Sequence, residues 1–359
     1  MLLLPVLLAL LASLFGGLYF LAVGRRRRPG EPPLDKGLIP WLGHALDFQR
    51  DPFRLLQKMK EKHGDVFTIQ LAGQYVTFLQ DPFSFEALLK QRSDIIEFDD
   101  TDMSETVFGY EETQQALSQG GVSHSTIEKV LFAFLFAAQA NVPSTAFWLL
   151  LHLMKDPEAM NALRGEAEKV VKESGDEVCP GGPLIRVTYD MLKKTPLLDS
   201  AVEEALRLSA GIYVNRQARH DMTLKMTDGR ELLLRKNDQL CTNVFLAIHT
   251  DPEVHPEPYT FKYDRFLNPD GTKKKDFYKS GRRVKYYNAP FGGGLSMCPG
   301  RFFALNELKQ MVFHMLVYFD FELLNPDEKM PSFRVDQFGL GTSHPEREIH
   351  FRYRLKSLK

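Results

Sequence analysis

From Leu2 to Val23 the chain is unbroken by charge and dominated by Leu, Ala, Val and Phe. As a helix this run would be about 33 Å long at a rise of ~1.5 Å per residue, enough to cross a bilayer's hydrocarbon core. Arg25, Arg26, Arg27 and Arg28 follow at once. A cleaved signal peptide carries its positive charge before a shorter apolar run, so the pattern predicts an uncleaved transmembrane helix over 1–24 with the rest of the chain cytosolic. The basic, Pro-rich stretch 25–40, containing Pro29-Gly30-Glu31-Pro32-Pro33, predicts a stiff non-helical linker. The globular body then occupies 41–359.

Beyond the linker, Pro52 to His63 has the alternation of an amphipathic helix. Val66 to Leu79 predicts two strands about Ala72-Gly73-Gln74, and Phe83 to Lys90 a further helix. Between Asp94 and Gly121 periodicity is lost among acidic and polar residues. A long apolar helix follows over Ile127 to Met154, with Pro143 inside it. Asp156-Pro157 and Thr195-Pro196 each supply an N-cap residue and a Pro at the first helical position, the second for a helix ending near Leu208. Thr223 to Leu234 predicts a hairpin turning at Asp228-Gly229. A Gly-rich loop, Phe291 to Cys298, leads into a helix running from Pro299 to about Phe319, and a β-rich tail closes the chain. The fold class is therefore mainly α with small β-sheets.

Composition narrows the function classes. The 359 residues carry a formal net charge of -1, with none of the basic excess that nucleic-acid binding requires. Three cysteines, Cys179, Cys241 and Cys298, are too few for a disulfide framework and lack the paired spacing of a zinc site. The globular part belongs in a reducing compartment.

The candidate chemistry lies in Phe291-Gly292-Gly293-Gly294-Leu295-Ser296-Met297-Cys298-Pro299-Gly300. A lone cysteine beside a glycine turn is ordinarily a buried structural thiol. Here, however, Cys298 stands where a helix begins, and a helix N-terminus favours a thiolate through its unpaired N–H groups and dipole. The glycines let backbone amides approach the sulfur, and Gly300 and Ala304, one turn apart, leave a face on which a flat macrocycle could lie. Upstream, Glu204 and Arg207 share a helix face at i, i+3, a pair that is common on surfaces. Pro143 removes an N–H and frees the carbonyl of Gln139. Lys273, Lys274, Lys275, Lys279, Arg282, Arg283 and Lys285 form a basic stretch before the cysteine loop, read either as a solvated charge run or as a dock for an acidic partner.

Phe291, Gly294, Cys298, Gly300 and Ala304 match the heme-binding signature of the cytochrome P-450 superfamily, which the chain resembles. That resemblance implies a heme-thiolate monooxygenase of the cytochrome P-450 fold, with Cys298 as the iron ligand and molecular oxygen as co-substrate. It further implies that Glu204 and Arg207 form a buried triad with Arg265, from Asp264-Arg265-Phe266. Arg216 then corresponds to a family Arg that meets a heme propionate, and Ala137 to Pro143 to the oxygen-binding kink of the central helix. In that kink the usual acid and alcohol are replaced by Ala140 and Asn141, so oxygen handling falls to Asn141. Ser296 replaces a basic residue common two positions before the Cys.

Several segments, among them His63-Gly64-Asp65-Val66-Phe67-Thr68, Phe261 to Pro269 and Phe351-Arg352-Tyr353-Arg354-Leu355, resemble the branch of sterol 12-alpha-hydroxylases and prostacyclin synthases. The cysteine loop with Ser296 is nearer the first. The resemblance implies steroid hydroxylation in bile-acid synthesis at the endoplasmic reticulum membrane, with electrons from an NADPH-dependent cytochrome P-450 reductase. The alternative within the branch is an endoperoxide isomerase that needs no reductase. Family chains are longer by on the order of a hundred residues, more than a loop deletion removes, and the loss falls between about Phe98 and Val122. A second alternative is therefore a truncated, anchored chain that lacks part of the middle helices, binds heme poorly and catalyses nothing.

Overall fold

The computed structural model describes residues 6, 10–17, 25–90, 96–97, 118–178, 184–294, 297–335, 339 and 341–356. Most of the apolar N-terminal run, residues 98–117 of the interval 98–122 to which the missing segment is assigned, Cys179 and Ser296 lie outside them. The chain divides into two compact units: Met1–Asp102 with Tyr213–Ile248, and Met103–Ile212 with His249–Lys359.

The first unit is built on a six-stranded sheet. Its strands are β1 (Leu34–Asp35), β2 (Val66–Leu71), β3 (Gln74–Leu79), β4 (Ile96–Glu97), β5 (Tyr213–Ala218) and, after the separate hairpin β6 (Met222–Lys225) and β7 (Glu231–Leu234), β8 (Gln239–Asn243); the sheet order is β1-β2-β3-β8-β5-β4. The predicted hairpin of β2 and β3 forms with Leu71 opposite Gln74, so Ala72 and Gly73 alone make the turn, at φ 46° and 85°. Both left-handed dihedrals belong to the two-residue turn whose twist matches paired strands. β2 is buried along nearly its whole length, which is why period-2 alternation is faint there. Thr68 and Thr77 share a buried hydrogen bond across the pair, at 2.8 Å between hydroxyl oxygens.

Helices α1 (Ala45–Arg50), α2 (Pro52–His63) and α3 (Pro82–Leu89) complete this unit. The apolar face predicted for α2 is real: Leu55, Leu56 and Met59 are buried with Phe67, Ile69, Val76 and Phe78. Asp51 and Asp81 cap α2 and α3, accepting from the N–H of Arg54 at 3.0 Å and of Phe83 at 2.9 Å. Such a cap contributes about 1 kcal/mol. The linker differs from a free spacer. Leu34–Asp35 joins the sheet beside β2, Arg25 pairs with Asp238, and Arg235 donates to Glu31 at 2.9 Å.

The second unit is helical. It comprises α4 (His124–Lys155), α5 (Pro157–Ser174), α6 (Tyr189–Leu192), α7 (Pro196–Ser209) and α8 (Arg301–Tyr318), with the short hairpins β9–β10 (Tyr278–Lys279, Arg282–Arg283) and β11–β12 (Phe319–Leu323, Phe351–Leu355). Val142, Ala146, Leu149 and Leu153 of α4, at helical spacing, enter one core with Leu163 and Val170 of α5, Ala201 and Ala205 of α7, and Val312 and Leu316 of α8. Among the described residues α4 is the one helix long and apolar enough to cross a membrane, and from Val142 onward its apolar side is part of this core.

Asp156 caps α5 as its sequence predicts, accepting from the Ala159 N–H at 3.0 Å, and Pro157 is the first helical residue. Thr195 corrects a prediction. It occupies the N-cap position of α7, but its hydroxyl donates to the Leu192 carbonyl at 2.8 Å. The exposed amides of Leu197 and Leu198 are met instead by the Glu166 carboxylate from α5, at 2.8 and 2.9 Å. A carboxylate supplied by a neighbouring helix does the work of the side-chain cap and adds a favourable charge at the positive end of the helix.

Candidate functional site

Cys298 lies in the turn before α8. The helix begins at Arg301 with Gly300 as its N-cap residue, so Pro299 is not its first residue and the thiol sits two positions ahead of the cap. The glycine loop closes on itself: the Cys298 N–H donates to the Phe291 carbonyl at 3.0 Å. Gly292 and Gly294 reach that closure at φ 71° and 69°, a region in which a side chain is costly. The Cys298 carbonyl in turn accepts from the Arg301 guanidinium at 2.9 Å. Phe291 and Ala304 both pack on the core of the helical unit, which anchors the loop at either end.

The sulfur is free and half-buried. Burial pushes the Cys298 thiol up from its ordinary value, against the amides of Gly300 and Arg301 and the Arg301 charge, which pull it down. The helix N-terminus therefore supplies the expected donors, but in the protein alone they do not outweigh the loss of water. A Cβ added at Gly300 would meet nothing within 4 Å except this sulfur, at 3.9 Å. A free thiol, two amide donors and open space over a glycine make a setting into which a metal-bearing macrocycle fits.

Around Pro143, three polar side chains bond back to the helix backbone. Asn141, Ser144 and Thr145 donate to the carbonyls four residues back, of Ala137, Ala140 and Asn141, at 3.3, 3.2 and 3.0 Å. The same side of α4 holds a C-terminal loop. Asn141 Oδ1 accepts from the Thr342 N–H at 3.0 Å, Thr145 Oγ1 lies 3.0 Å from Thr342 Oγ1, and Trp148 Nε1 donates to the Ser343 carbonyl at 2.7 Å. That loop also pairs with the end of α7, where Ser343 N–H donates to Ser209 and Gly211 N–H to Gly341. A side chain on Gly341 would collide with the Asn141 amide. Sequence reasoning singled out Asn141 but missed Thr145, Trp148 and residues 341–343; the i, i+4, i+7 polar stripe on an apolar helix was the available signal. Replacing Asn141 with Ala should free the Thr342 amide and speed its hydrogen exchange roughly tenfold, the equivalent of one lost bond. Unchanged protection over 341–343 would show that Thr145 and Trp148 hold the loop alone.

Glu204, Arg207 and Arg265 come together in one buried cluster. Glu204 accepts from Arg207 at 2.6 and 2.8 Å, from Arg265 at 2.8 Å and from the Lys262 N–H at 3.1 Å. Arg207 also donates to the carbonyls of His249 and Pro258, and Arg265 to those of Pro256 and Thr260. Two guanidiniums against one carboxylate leave an excess positive charge, spread over five carbonyl dipoles, that of Glu257 included. The buried histidines nearby stay neutral. Burial, with the Arg207 charge, holds His255 down to about 3, and burial holds His249 well below its usual range. On acidification the unfolded chain therefore takes up protons before the folded one. Stability is unaffected above about pH 6.5 and falls below it, by about 2 kcal/mol for His255 near pH 5. Urea midpoints between about pH 7 and about pH 5 should show the loss, and His255→Gln should reduce it by about 2 kcal/mol. A drop of equal size in that variant would exclude His255 as a source.

Arg216 lies in β5 of the other unit, is buried, and donates to its own neighbour Asn215 at 2.6 Å. The basic stretch is largely paired: Lys273 with Glu203, Lys279 with Asp251 at 2.7 Å and Arg283 with Asp276 at 3.0 Å. Lys274 and Lys285 stand over the rings of Phe277 and Tyr286.

A profile of the cytochrome P-450 family matches residues 32–117 and 103–351. The chain belongs to the cytochrome P-450 family. This P-450 is 34% identical to the human 7-alpha-hydroxycholest-4-en-3-one 12-alpha-hydroxylase, covering 98% of each chain, and 32% identical to human prostacyclin synthase, covering 92% of this chain and 95% of that one. Among solved structures, retinoic acid bound cyanobacterial CYP120A1 superposes with a TM-score of 0.66 at 17% identity, covering 91% of this chain and 99% of that one, a likeness of fold. The first of these alignments runs over 495 positions, whereas the chain has 359 residues. The two family matches overlap at 103–117. Cytochrome P-450 monooxygenases hold heme iron through a cysteine thiolate, and Cys298 in its glycine loop is the residue of this P-450 that fits that ligation.

Proposed function

We propose that this P-450 is a membrane-anchored monooxygenase that hydroxylates a steroid at the 12-alpha position in bile-acid synthesis. Its electrons would come from an NADPH-dependent cytochrome P-450 reductase at the endoplasmic reticulum membrane. The observation that carries this reading is the 34% identity to the human 12-alpha-hydroxylase across 98% of both chains. Bound heme supplies oxygen activation, with electron density from the thiolate favouring cleavage of the oxygen–oxygen bond. The chain's own residues do the rest. Cys298 is the ligand, held by the Phe291 carbonyl and faced by the Gly300 and Arg301 amides. Gly294, Gly300 and Ala304 keep side-chain bulk away, and Arg216 is the candidate partner for a propionate. Asn141 is the candidate for oxygen handling, through the Nδ2–H it does not give to Ala137. The uncharged run Leu2 to Val23 and the four arginines after it support the anchor and its cytosolic orientation.

A second reading is an isomerase of the prostacyclin synthase type, favoured by 32% identity to the human enzyme and by Asn141 in place of an alcohol. The middle positions missing from the chain favour a third, an anchored chain without activity. The carbon-monoxide difference spectrum of the reduced, full-length protein supplied with heme comes first. A red-shifted band supports both enzymatic readings, and its absence leaves the third. Product formation from a steroid and from a prostaglandin endoperoxide, each with and without reductase, then separates the other two: the hydroxylase requires reductase and oxygen, the isomerase neither.

A further inference from the structure

The hairpin β11–β12 ends the helical unit in an open edge. β12 pairs with β11 on one side and has no neighbour on the other among the described residues. It is also the one described strand of more than two residues in which every residue is exposed. In a loose tail such an edge would mean little, but this one is fastened at both ends. The Leu324 N–H donates to the His350 carbonyl at 3.1 Å and the Lys356 N–H to the Tyr318 carbonyl at 2.8 Å. Those two bonds also fix which backbone groups face outward. The register runs from Phe319 opposite Leu355 to Leu323 opposite Phe351, so Arg352 and Arg354 bond to β11. The alternation of an antiparallel ladder then turns the N–H and C=O of Phe351, Tyr353 and Leu355 away from it. Their side chains share a face with Phe321 and Leu323, which are buried, yet are themselves 45%, 66% and 64% exposed. A rigid edge with three free donors, three free acceptors and an apolar face is a template for another strand.

The charged face of the hairpin says which strand. Arg352 donates to Glu322 at 2.6 Å and Arg354 to Asp320 at 3.2 Å. An acidic strand laid against β12 would have to draw both arginines from the acids that hold them, and a basic strand would meet arginines and no free acid. A strand whose charges are already balanced on its own hairpin meets neither obstacle, and β12 of a second copy is such a strand. Antiparallel pairing about a twofold axis at Tyr353 completes the match. Tyr353 then exchanges both of its outward bonds with Tyr353 of the second copy, and Phe351 does so with Leu355. Arg352 faces Arg354 of the second copy, each with its own acid behind it. The apolar face extends into rows of four: Leu323, Phe351, Leu355, Phe319, and Phe321, Tyr353, Tyr353, Phe321.

We propose that β12 is a self-association edge, through which two copies of the chain join their hairpins into one four-stranded antiparallel sheet. The full chain in detergent micelles is followed by sedimentation over a range of protein concentrations. Expected is a monomer–dimer equilibrium that Tyr353→Pro shifts toward monomer by about tenfold or more, because proline removes an outward N–H and none of the bonds to β11. Tyr353→Lys keeps the backbone and sets two ammonium groups against each other at the axis, with the same expected shift. Should Tyr353→Pro fail to fold, Tyr353→Lys decides. Disulfide trapping reads the register. Opposed residues of a hydrogen-bonded pair have Cα atoms about 5.5 Å apart, within reach of a disulfide, so Tyr353→Cys should trap a dimer under mild oxidation. In Phe351→Cys the two new thiols lie about four residues of strand apart, roughly 13 Å, and crosslinking should stay at the level of the parent chain. Mixing Phe351→Cys with Leu355→Cys should restore it. A monomer at every concentration, a dimer that Tyr353→Lys leaves unchanged, or equal trapping from positions 351 and 353 overturns the proposal.

Discussion

Cys298→Ala abolishes the red-shifted carbon-monoxide band and leaves the protein folded. The reason is the division of labour within the loop. The bonds that shape it are backbone bonds, from the Cys298 N–H to Phe291 and from the Arg301 side chain to the Cys298 carbonyl, and alanine keeps both. Only the sulfur is lost. The other described cysteine cannot replace it: Cys241 is buried in the packed core of the sheet unit with Phe67, Ile69 and Phe78, where no macrocycle could reach it. The cost in stability is about 1 kcal/mol, that of removing one half-buried atom. Thermal melts of the variant without heme should therefore stay within a few degrees of the parent, while the reduced spectrum changes completely. A variant that keeps the band would move the ligand elsewhere, and a variant that fails to fold would show the thiol to be part of the packing.

How far the sequence foretold this arrangement depends on the reach of each interaction. The elements with local causes were legible: α2 from its apolar stripe, the β2–β3 turn from Ala72-Gly73, α5 from Asp156-Pro157. The glycine loop was legible because closing it requires residues that tolerate left-handed dihedrals. What failed was decided at long range. Thr195 looks like a cap, but Glu166, some thirty positions earlier, competes for the same amides and wins because a carboxylate is the stronger acceptor. The first turn of α8 slips to Arg301 because Pro299 and Gly300 complete the loop rather than open the helix. The hold of Asn141, Thr145 and Trp148 on residues 341–343 joins positions some two hundred apart, beyond any pattern read within a window. The ion pair of Arg25 with Asp238 likewise joins positions 213 apart, by way of a segment that returns from the middle of the chain.

Glu204→Gln should be the most destabilising single replacement in the helical unit. Glu204 and Arg207 are fully buried and Arg265 nearly so, so the variant leaves two guanidiniums in a low-dielectric interior with no carboxylate between them. Glutamine matches the volume and keeps an acceptor, so the effect measured is that of charge rather than of a cavity. Breaking a buried pair in this way costs about 3–5 kcal/mol, a large part of the total for a typical domain. Arg265→Leu should cost less, because the remaining Glu204–Arg207 pair is neutral and bidentate, although the carbonyls of Pro256 and Thr260 lose their donor. The double variant, Glu204→Gln with Arg265→Leu, removes one charge of each sign and should recover part of the loss, giving a coupling of about 1–3 kcal/mol in the cycle. Urea unfolding of the four proteins measures it. Additive losses would mean that the carbonyl dipoles, not Glu204, hold the second guanidinium. A Glu204→Gln loss below about 1 kcal/mol would mean that water reaches the cluster and that the three residues act as a surface pair acts.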